Sequence, residues 1–204
     1  MKELDDFFSQ FPIRSYKKGK LLLKKDDPIK KIFYLISGNV NQYSESSLAE
    51  KISIHIYRPG SFFPIALELA GEQNRFYFES VNNIKVQVAP YQKVVKMLKD
   101  NPRVLFDLTR RLAKGLDGVV KRLEDALGYD VHLRLISLIT YFANSFGSQG
   151  KKGSTIQLPF THQELAGWLG VSRETITRQM RSLQKQGLIY YKRRKIILLA
   201  NTNK

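Results

Sequence analysis

The sequence predicts an α+β chain in three parts: an N-terminal antiparallel β-barrel or jelly roll, a long helix, and a C-terminal winged helix-turn-helix. Three observations carry this prediction. Short β-type runs separated by turn residues fill positions 11–90; one apolar stripe at helical spacing runs through 102–127; and two amphipathic helices with capping signals meet at a glycine within 161–186, ahead of a β-hairpin pattern. The expected domain boundaries are 1–101, 102–127 and 128–204.

In the first part, residues 20–23, 32–36, 52–57, 76–80 and 84–88 read as strands, punctuated by Asp26-Asp27-Pro28, Ser37-Gly38-Asn39 and Arg58-Pro59-Gly60-Ser61. Short strands at that spacing fold as an antiparallel barrel or jelly roll.

Pro102 suits a helix's first turn, where its missing amide hydrogen costs nothing. From there Leu105, Leu108, Leu112, Leu116, Val119, Leu123 and Ala126 recur at alternating spacings of three and four, while Arg103, Asp107, Arg110, Arg111, Lys114, Lys121 and Arg122 hold the other face. Packing against the helix's own domain produces such a stripe too, but its length favours a parallel dimer with Leu105, Leu108, Leu112, Leu116, Val119 and Leu123 at the interface. Gly115 and Gly118 cost about 1 kcal/mol each in a helix interior, and either permit close approach or are tolerated. Gly128-Tyr129-Asp130 breaks the helix at an expected interdomain hinge, with Asp130 capping the next helix, 131–146. Residues 147–154, GSQGKKGS, read as a flexible loop leading to a strand-like 155–158.

The charge balance narrows the partner. The 204 residues carry 34 Lys and Arg against 18 Asp and Glu, a net +16, which points to an anionic partner such as nucleic acid or an acidic membrane surface. From residue 128 onward there are 12 basic and three acidic residues, an excess about twice as dense as in the preceding part. Cysteine is absent, which excludes disulfides, zinc–thiolate sites, cysteine-ligated iron–sulfur clusters and a cysteine nucleophile. The N-terminus MKELDDFFSQF is acidic and aromatic, and no run of about 18 apolar residues occurs, so a cytoplasmic protein without a membrane partner is expected.

The C-terminal part explains the charge. Thr161-His162-Gln163-Glu164 has the form of a capping box, opening a helix that turns Leu165, Ala166 and Leu169 inward and stops at Gly170. Val171 plugs the core and Ser172 caps a second helix, whose Ile176, Met180 and Leu183 form a buried face. Arg173, Glu174, Thr177, Arg178 and Arg181 lie opposite. Such a helix presents its N-terminal residues to the major groove, where Arg can take guanine O6 and N7 together and Glu can accept from cytosine N4. Residues 187–189 and 196–199 then read as a hairpin joined by 190–195, a wing whose Lys192, Arg193, Arg194 and Lys195 are expected near phosphates.

The segment THQELAGWLGVSRETITRQMRSLQKQGLI, 161–189, resembles the helix-turn-helix of the cyclic-AMP receptor protein/FNR (Crp/Fnr) superfamily of bacterial regulators, and the order of parts matches over nearly the whole chain. The resemblance implies a cyclic-nucleotide-binding-like N-terminal jelly roll, a dimerisation helix, and a sequence-specific transcription regulator rather than an enzyme. It places Arg173, Glu174 and Arg178 as base-reading residues and Ser172 and Thr175 as backbone contacts, with Thr177 and Arg181 flanking. The implied partners are double-stranded DNA, read as a TGTGA-like palindrome with half-sites about 34 Å apart, a second copy of the chain, and RNA polymerase if the protein activates.

The effector region departs from the family's cyclic-AMP-binding members. Pro64 and Ile65 stand where a Gly-Glu pair would hold the phosphate; Arg75 is followed by Phe76 in place of a small hydroxyl residue; and Val119 and Val120 occupy the helix positions that would meet the purine. Cyclic AMP in the known mode is therefore not expected, and no cofactor is implied. Phe62, Phe63, Ile65, Arg75, Phe76, Phe78, Val119 and Val120 either line an apolar pocket for another effector or fill the barrel core. His55, His132 and His162 have no ligand-like spacing, which argues against haem and against a cupin-type metal enzyme. The remaining alternative is a cyclic-nucleotide or small-molecule sensory module whose DNA binding is secondary.

Overall fold

The structure, a computed structural model, describes residues 2–47 and 50–200. The chain divides into two compact units: one runs to Gly118, and the second comprises Val119 onward together with residues 50–52. The first unit contains α1 (Lys2–Ser9), β1 (Ile13–Tyr16), β2 (Leu21–Leu23), β3 (Lys31–Ser37), β4 (Val40–Glu45), all but the first two residues of β5 (Lys51–Tyr57), and β6 (Phe62–Phe63). It continues with α2 (Ile65–Leu69), β7 (Tyr77–Ser80), β8 (Ile84–Pro90), α3 (Tyr91–Asp100) and the start of α4 (Pro102–Gly128).

The predicted barrel is two open four-stranded sheets, ordered β1-β8-β3-β6 and β2-β7-β4-β5. Three of their strands carry no periodic signal. β1 is an exposed edge strand with little apolar content, β4 carries Asn41, Gln42, Ser44 and Glu45, and β6 is two residues long. Long-range partners define them: Ile13–Tyr16 pairs with residues 84–87, and Val40–Tyr43 with residues 77–80.

Between the sheets Phe33, Leu35, Val40, Phe63, Phe78, Ile84 and Val86 form a buried cluster. Phe63 sits at its centre, stacked on Phe33 at 5.6 Å, Tyr57 at 4.7 Å and Phe78 at 5.6 Å between ring centroids. Burial pushes the Tyr57 phenol well above its usual range, so it stays neutral and donates to Gln42 Oε1 at 2.9 Å. Of the residues considered for an effector pocket, Phe62, Phe63, Ile65 and Phe78 are thus core, at 6 %, 1 %, 2 % and 0 % exposure. Arg75 is exposed with its guanidinium over the Phe76 ring, 5.1 Å from the centroid.

The long helix begins at Pro102 as expected and extends to Gly128. Its stripe divides into two environments. Leu108, expected at a dimer seam, is instead buried with Val104 against Leu4, Phe8, Ile65 and Leu98 in the first unit's second apolar cluster. The first 17 residues of the helix belong to that unit. Leu105, Leu112, Leu116, Val119, Val120 and Leu123 remain between 40 % and 65 % exposed. On the charged face Asp107 accepts from Arg110 at 2.7 Å and Arg111 at 2.5 Å, while Arg111 also donates to the Gly60 carbonyl at 2.9 Å. Burial opposes ionisation of Asp107, but the two arginines outweigh it and hold its carboxyl below the usual range.

The stacked interior gives a direct test. Phe63→Ala removes the ring at the centre of the cluster, and a loss of about 3–5 kcal/mol of unfolding free energy is expected for a fully buried phenylalanine, measured by urea denaturation. A loss below about 1 kcal/mol would mean the interior is not filled as described.

Candidate nucleic-acid interface

The second unit is built on α5 (Val131–Phe146), which Asp130 caps by accepting from the Leu133 amide at 3.0 Å. Leu135, Leu138, Ile139, Phe142 and Ala143 face inward, whereas Leu133 is 48 % exposed. Phe142 stacks on Phe160 at 4.2 Å and meets Trp168 edge-on at 5.3 Å. The Arg122 guanidinium lies over Trp168, 5.6 Å from its centroid, so Arg122 is more than a solvated charge.

The segment expected to be a loop over 147–154 is largely strand. β9 (Gly147–Gly150) and β10 (Gly153–Ile156) form a hairpin, and the strand placed at 155–158 begins two residues earlier. Its Gly and Ser content conceals the pairing. Gly153 adopts φ +131° beside β12 (Lys195–Leu199), where a Cβ would come within 2.1 Å of the Leu198 carbonyl oxygen.

α6 (His162–Leu169) starts with the expected capping box: Thr161 Oγ1 accepts from the Glu164 amide at 3.1 Å, and the Glu164 carboxylate accepts from the Thr161 amide at 2.6 Å. The helix ends on Gly170 in the left-handed conformation, φ 63° and ψ 40°, which turns the chain into α7 (Arg173–Lys185). Ser172 caps α7 by accepting from the Thr175 amide at 3.2 Å. Ile176, Met180 and Leu183 are buried at 0 %, 2 % and 0 %, while Arg173, Glu174, Arg178 and Arg181 are exposed.

The smaller polar residues of this face are less free. The Thr175 hydroxyl is 3.0 Å from Ser172 Oγ. The Thr177 hydroxyl donates to the Arg173 carbonyl at 2.9 Å, leaving its oxygen to accept from His162 Nδ1 at 2.8 Å. His162 also packs against Tyr191 of β11 (Ile189–Lys192), with centroids 5.0 Å apart. Burial, and then the charges of Arg173 and Arg181, hold His162 below its usual pKa, so the ring is neutral at pH 7. Its Nε2 is buried without a hydrogen-bond partner among the described residues. His162 therefore ties the first helix, the second helix and the wing together, a role that a lone histidine in sequence does not signal.

β11 and β12 form the wing, and its turn is tighter than the expected 190–195 connection. Lys192 pairs with Lys195, so only Arg193 and Arg194 span the turn, both with positive φ, 51° and 64°. This is the backbone of a two-residue hairpin turn that Asn-Gly adopts most easily. Lys192, Arg193, Arg194 and Lys195 are all exposed at its tip. Replacing Arg193 by Asn and Arg194 by Gly should relieve the left-handed strain and raise unfolding free energy by about 1 kcal/mol, read by urea denaturation; an unchanged or lower stability would contradict this turn geometry.

One helical edge, α7, thus exposes three arginines and a glutamate beside a hairpin tip of four cations, with a polar histidine between. No helix among the described residues is long and apolar enough to cross a membrane. A model of the Crp-like helix-turn-helix domain matches residues 133–203, and one of the cyclic nucleotide-binding domain matches residues 13–101. The global nitrogen regulator of Nostoc sp. is 25 % identical over 186 residues, covering 90 % of this chain and 83 % of that protein. The cAMP-activated global transcriptional regulator CRP of Haemophilus influenzae is 23 % identical, covering 92 % and 84 %. Among solved structures, the c-di-GMP responsive global regulator CLP of Xanthomonas campestris superposes with a TM-score of 0.82 at 20 % identity, over 98 % of this chain and 99 % of that one. A CRP/FNR-family transcriptional regulator of Thermus thermophilus gives 0.75 at 23 % identity, over 93 % and 94 %. With both domains matched in this order and these relatives along its length, the chain belongs to the Crp/Fnr superfamily of transcription regulators.

Proposed function

We propose that this regulator reads a TGTGA-like palindrome as a homodimer, with Arg173, Glu174 and Arg178 on base edges, and that cyclic AMP does not control it. The observation that carries the reading is the α7 surface: the buried Ile176, Met180 and Leu183 leave those three side chains exposed at the helix's N-terminal half. Ser172, Thr175, Thr177 and Arg181 lie beside them as backbone or flanking contacts, and Lys192 to Lys195 reach phosphates from the wing. If the protein activates, RNA polymerase is its further partner.

The exposed stripe Leu105, Leu112, Leu116, Val119 and Leu123 supports the dimer. Apolar side chains repeating along one helix face are an unfavourable surface for a lone chain and a suitable one for a second copy. Independence from cyclic AMP is supported by Pro64 and Ile65 at the phosphate positions and by the aromatic stack that occupies the first unit's interior. Pro64 has no amide hydrogen to donate, and the Ile65 side chain has no polar atom to offer a ribose or phosphate.

Gel-shift titration against salt tests this reading. Glu174→Ala should relax base preference within the half-site and leave nonspecific affinity nearly unchanged; Arg178→Ala should cost about 1–3 kcal/mol of discrimination. The Arg193→Asn, Arg194→Gly pair should weaken binding to all sequences alike and shrink the salt slope by roughly one for each phosphate left without its cation. Equal losses on cognate and scrambled DNA from all of these variants would reject the assigned roles.

A further inference from the structure

The first unit holds a cleft of about 330 Å³ that the DNA-reading account does not use. It opens between β1 and β2, the edge strands of the two sheets. Its floor is apolar: Leu22, Leu23 and Val88 are part-buried against the core, and Phe33 is 7 % exposed. Its rim is cationic, with Arg14, Lys20, Lys30 and Lys31 against a single carboxylate, Asp27, which already accepts from the Lys24 amide at 2.9 Å. None of the four cations takes part in an ion pair among the described residues.

We propose that this cleft binds a small amphipathic anion, an organic carboxylate or sulfonate on a one- or two-ring or short aliphatic body. Each half of the site excludes a different class of ligand. Inorganic phosphate or a nucleic-acid backbone would satisfy the rim but leave the leucine and phenylalanine floor wet. A neutral hydrophobe would cover the floor and leave the positive excess of the rim without a counter-charge. An anion with an apolar body answers both. The volume lies at the lower end of small-molecule pockets, which run from about 300 to 1,000 Å³, and this suits a compact body rather than a long acyl chain. None of Pro64, Ile65, Arg75, Phe76, Val119 or Val120 lines the cleft, so it is separate from the position where the family resemblance would place a nucleotide.

The probe is 1-anilinonaphthalene-8-sulfonate, titrated by fluorescence into the full-length protein, with its uncharged analogue N-phenyl-1-naphthylamine in parallel. Because Lys30 and Lys31 are exposed, Lys30→Glu with Lys31→Glu reverses the rim without touching the core. Saturable binding that this pair weakens by roughly tenfold or more, while Lys114→Glu on α4 leaves it unchanged, is the expected result. The uncharged analogue should bind roughly tenfold more weakly, and octanoate should compete where equimolar sulfate does not. Binding indifferent to the Lys30 and Lys31 reversal, or equal for the uncharged analogue, would overturn the proposal. So would equal competition by sulfate or by short duplex DNA, which would mark the cleft as a general anion surface.

Discussion

Burial of Ile176, Met180 and Leu183 fixes how α7 is rotated about its own axis, and the presentation of the DNA-reading face depends on that rotation. Successive residues of an α-helix are about 100° apart, so a slip of one residue would put Thr177, Arg181 and Gln184, or Thr175, Gln179 and Ser182, in place of that buried trio, at the cost of unpaired buried polar groups. Gly170 and the Ser172 cap make the alternative still less accessible, because they define where the helix can begin. The helix is therefore held by its apolar side so that its charged side can be read. His162 extends the constraint to the wing through Thr177 and Tyr191, coupling the hairpin's position to that of the helix.

In the first unit the controlling interaction is aromatic. Phe63 follows the Gly60 turn and precedes Pro64, the stretch in which cyclic-AMP-binding relatives by resemblance keep polar phosphate ligands; here it stacks into Phe33, Tyr57 and Phe78. Arg111 holds the same turn from outside by donating to the Gly60 carbonyl, itself steadied by Asp107. Pro64 and Ile65 are thus buried in a packed stretch, while the cationic cleft lies at the β1 and β2 edges of the two sheets.

Features set by neighbours in sequence are legible in it. The capping box at Thr161 and Glu164, the Ser172 and Asp130 caps, the Gly170 turn and the start of α4 at Pro102 all follow from local chemistry, and each stands where its residues indicate. Features set by distant partners are not. β1 and β4 are strands because residues 84–87 and 77–80 lie alongside them, and the GSQGKKGS segment pairs despite its loop-like composition. Leu108 fits a seam by spacing but is claimed by Leu4, Phe8 and Leu98. The wing turn looks longer in sequence than it is because four consecutive basic residues resemble a solvated loop, whereas Tyr191 and Lys192 pair with Ile196 and Lys195. The exposed Arg173, Glu174 and Arg178 are visible as a pattern of charge on one helix face; the packing role of His162 is not, since it arises only where three elements meet.

The central claim is that α7 and the wing form a reading head for one palindromic sequence without a cyclic nucleotide to enable it. Selection of bound sequences from random duplexes by the full-length protein, with no ligand added, tests this most directly. Enrichment of a two-fold symmetric site with TGTGA-like half-sites about one helical turn apart is the predicted result; recovery of unenriched sequence without cyclic AMP, and of the palindrome only when it is supplied, would contradict the account.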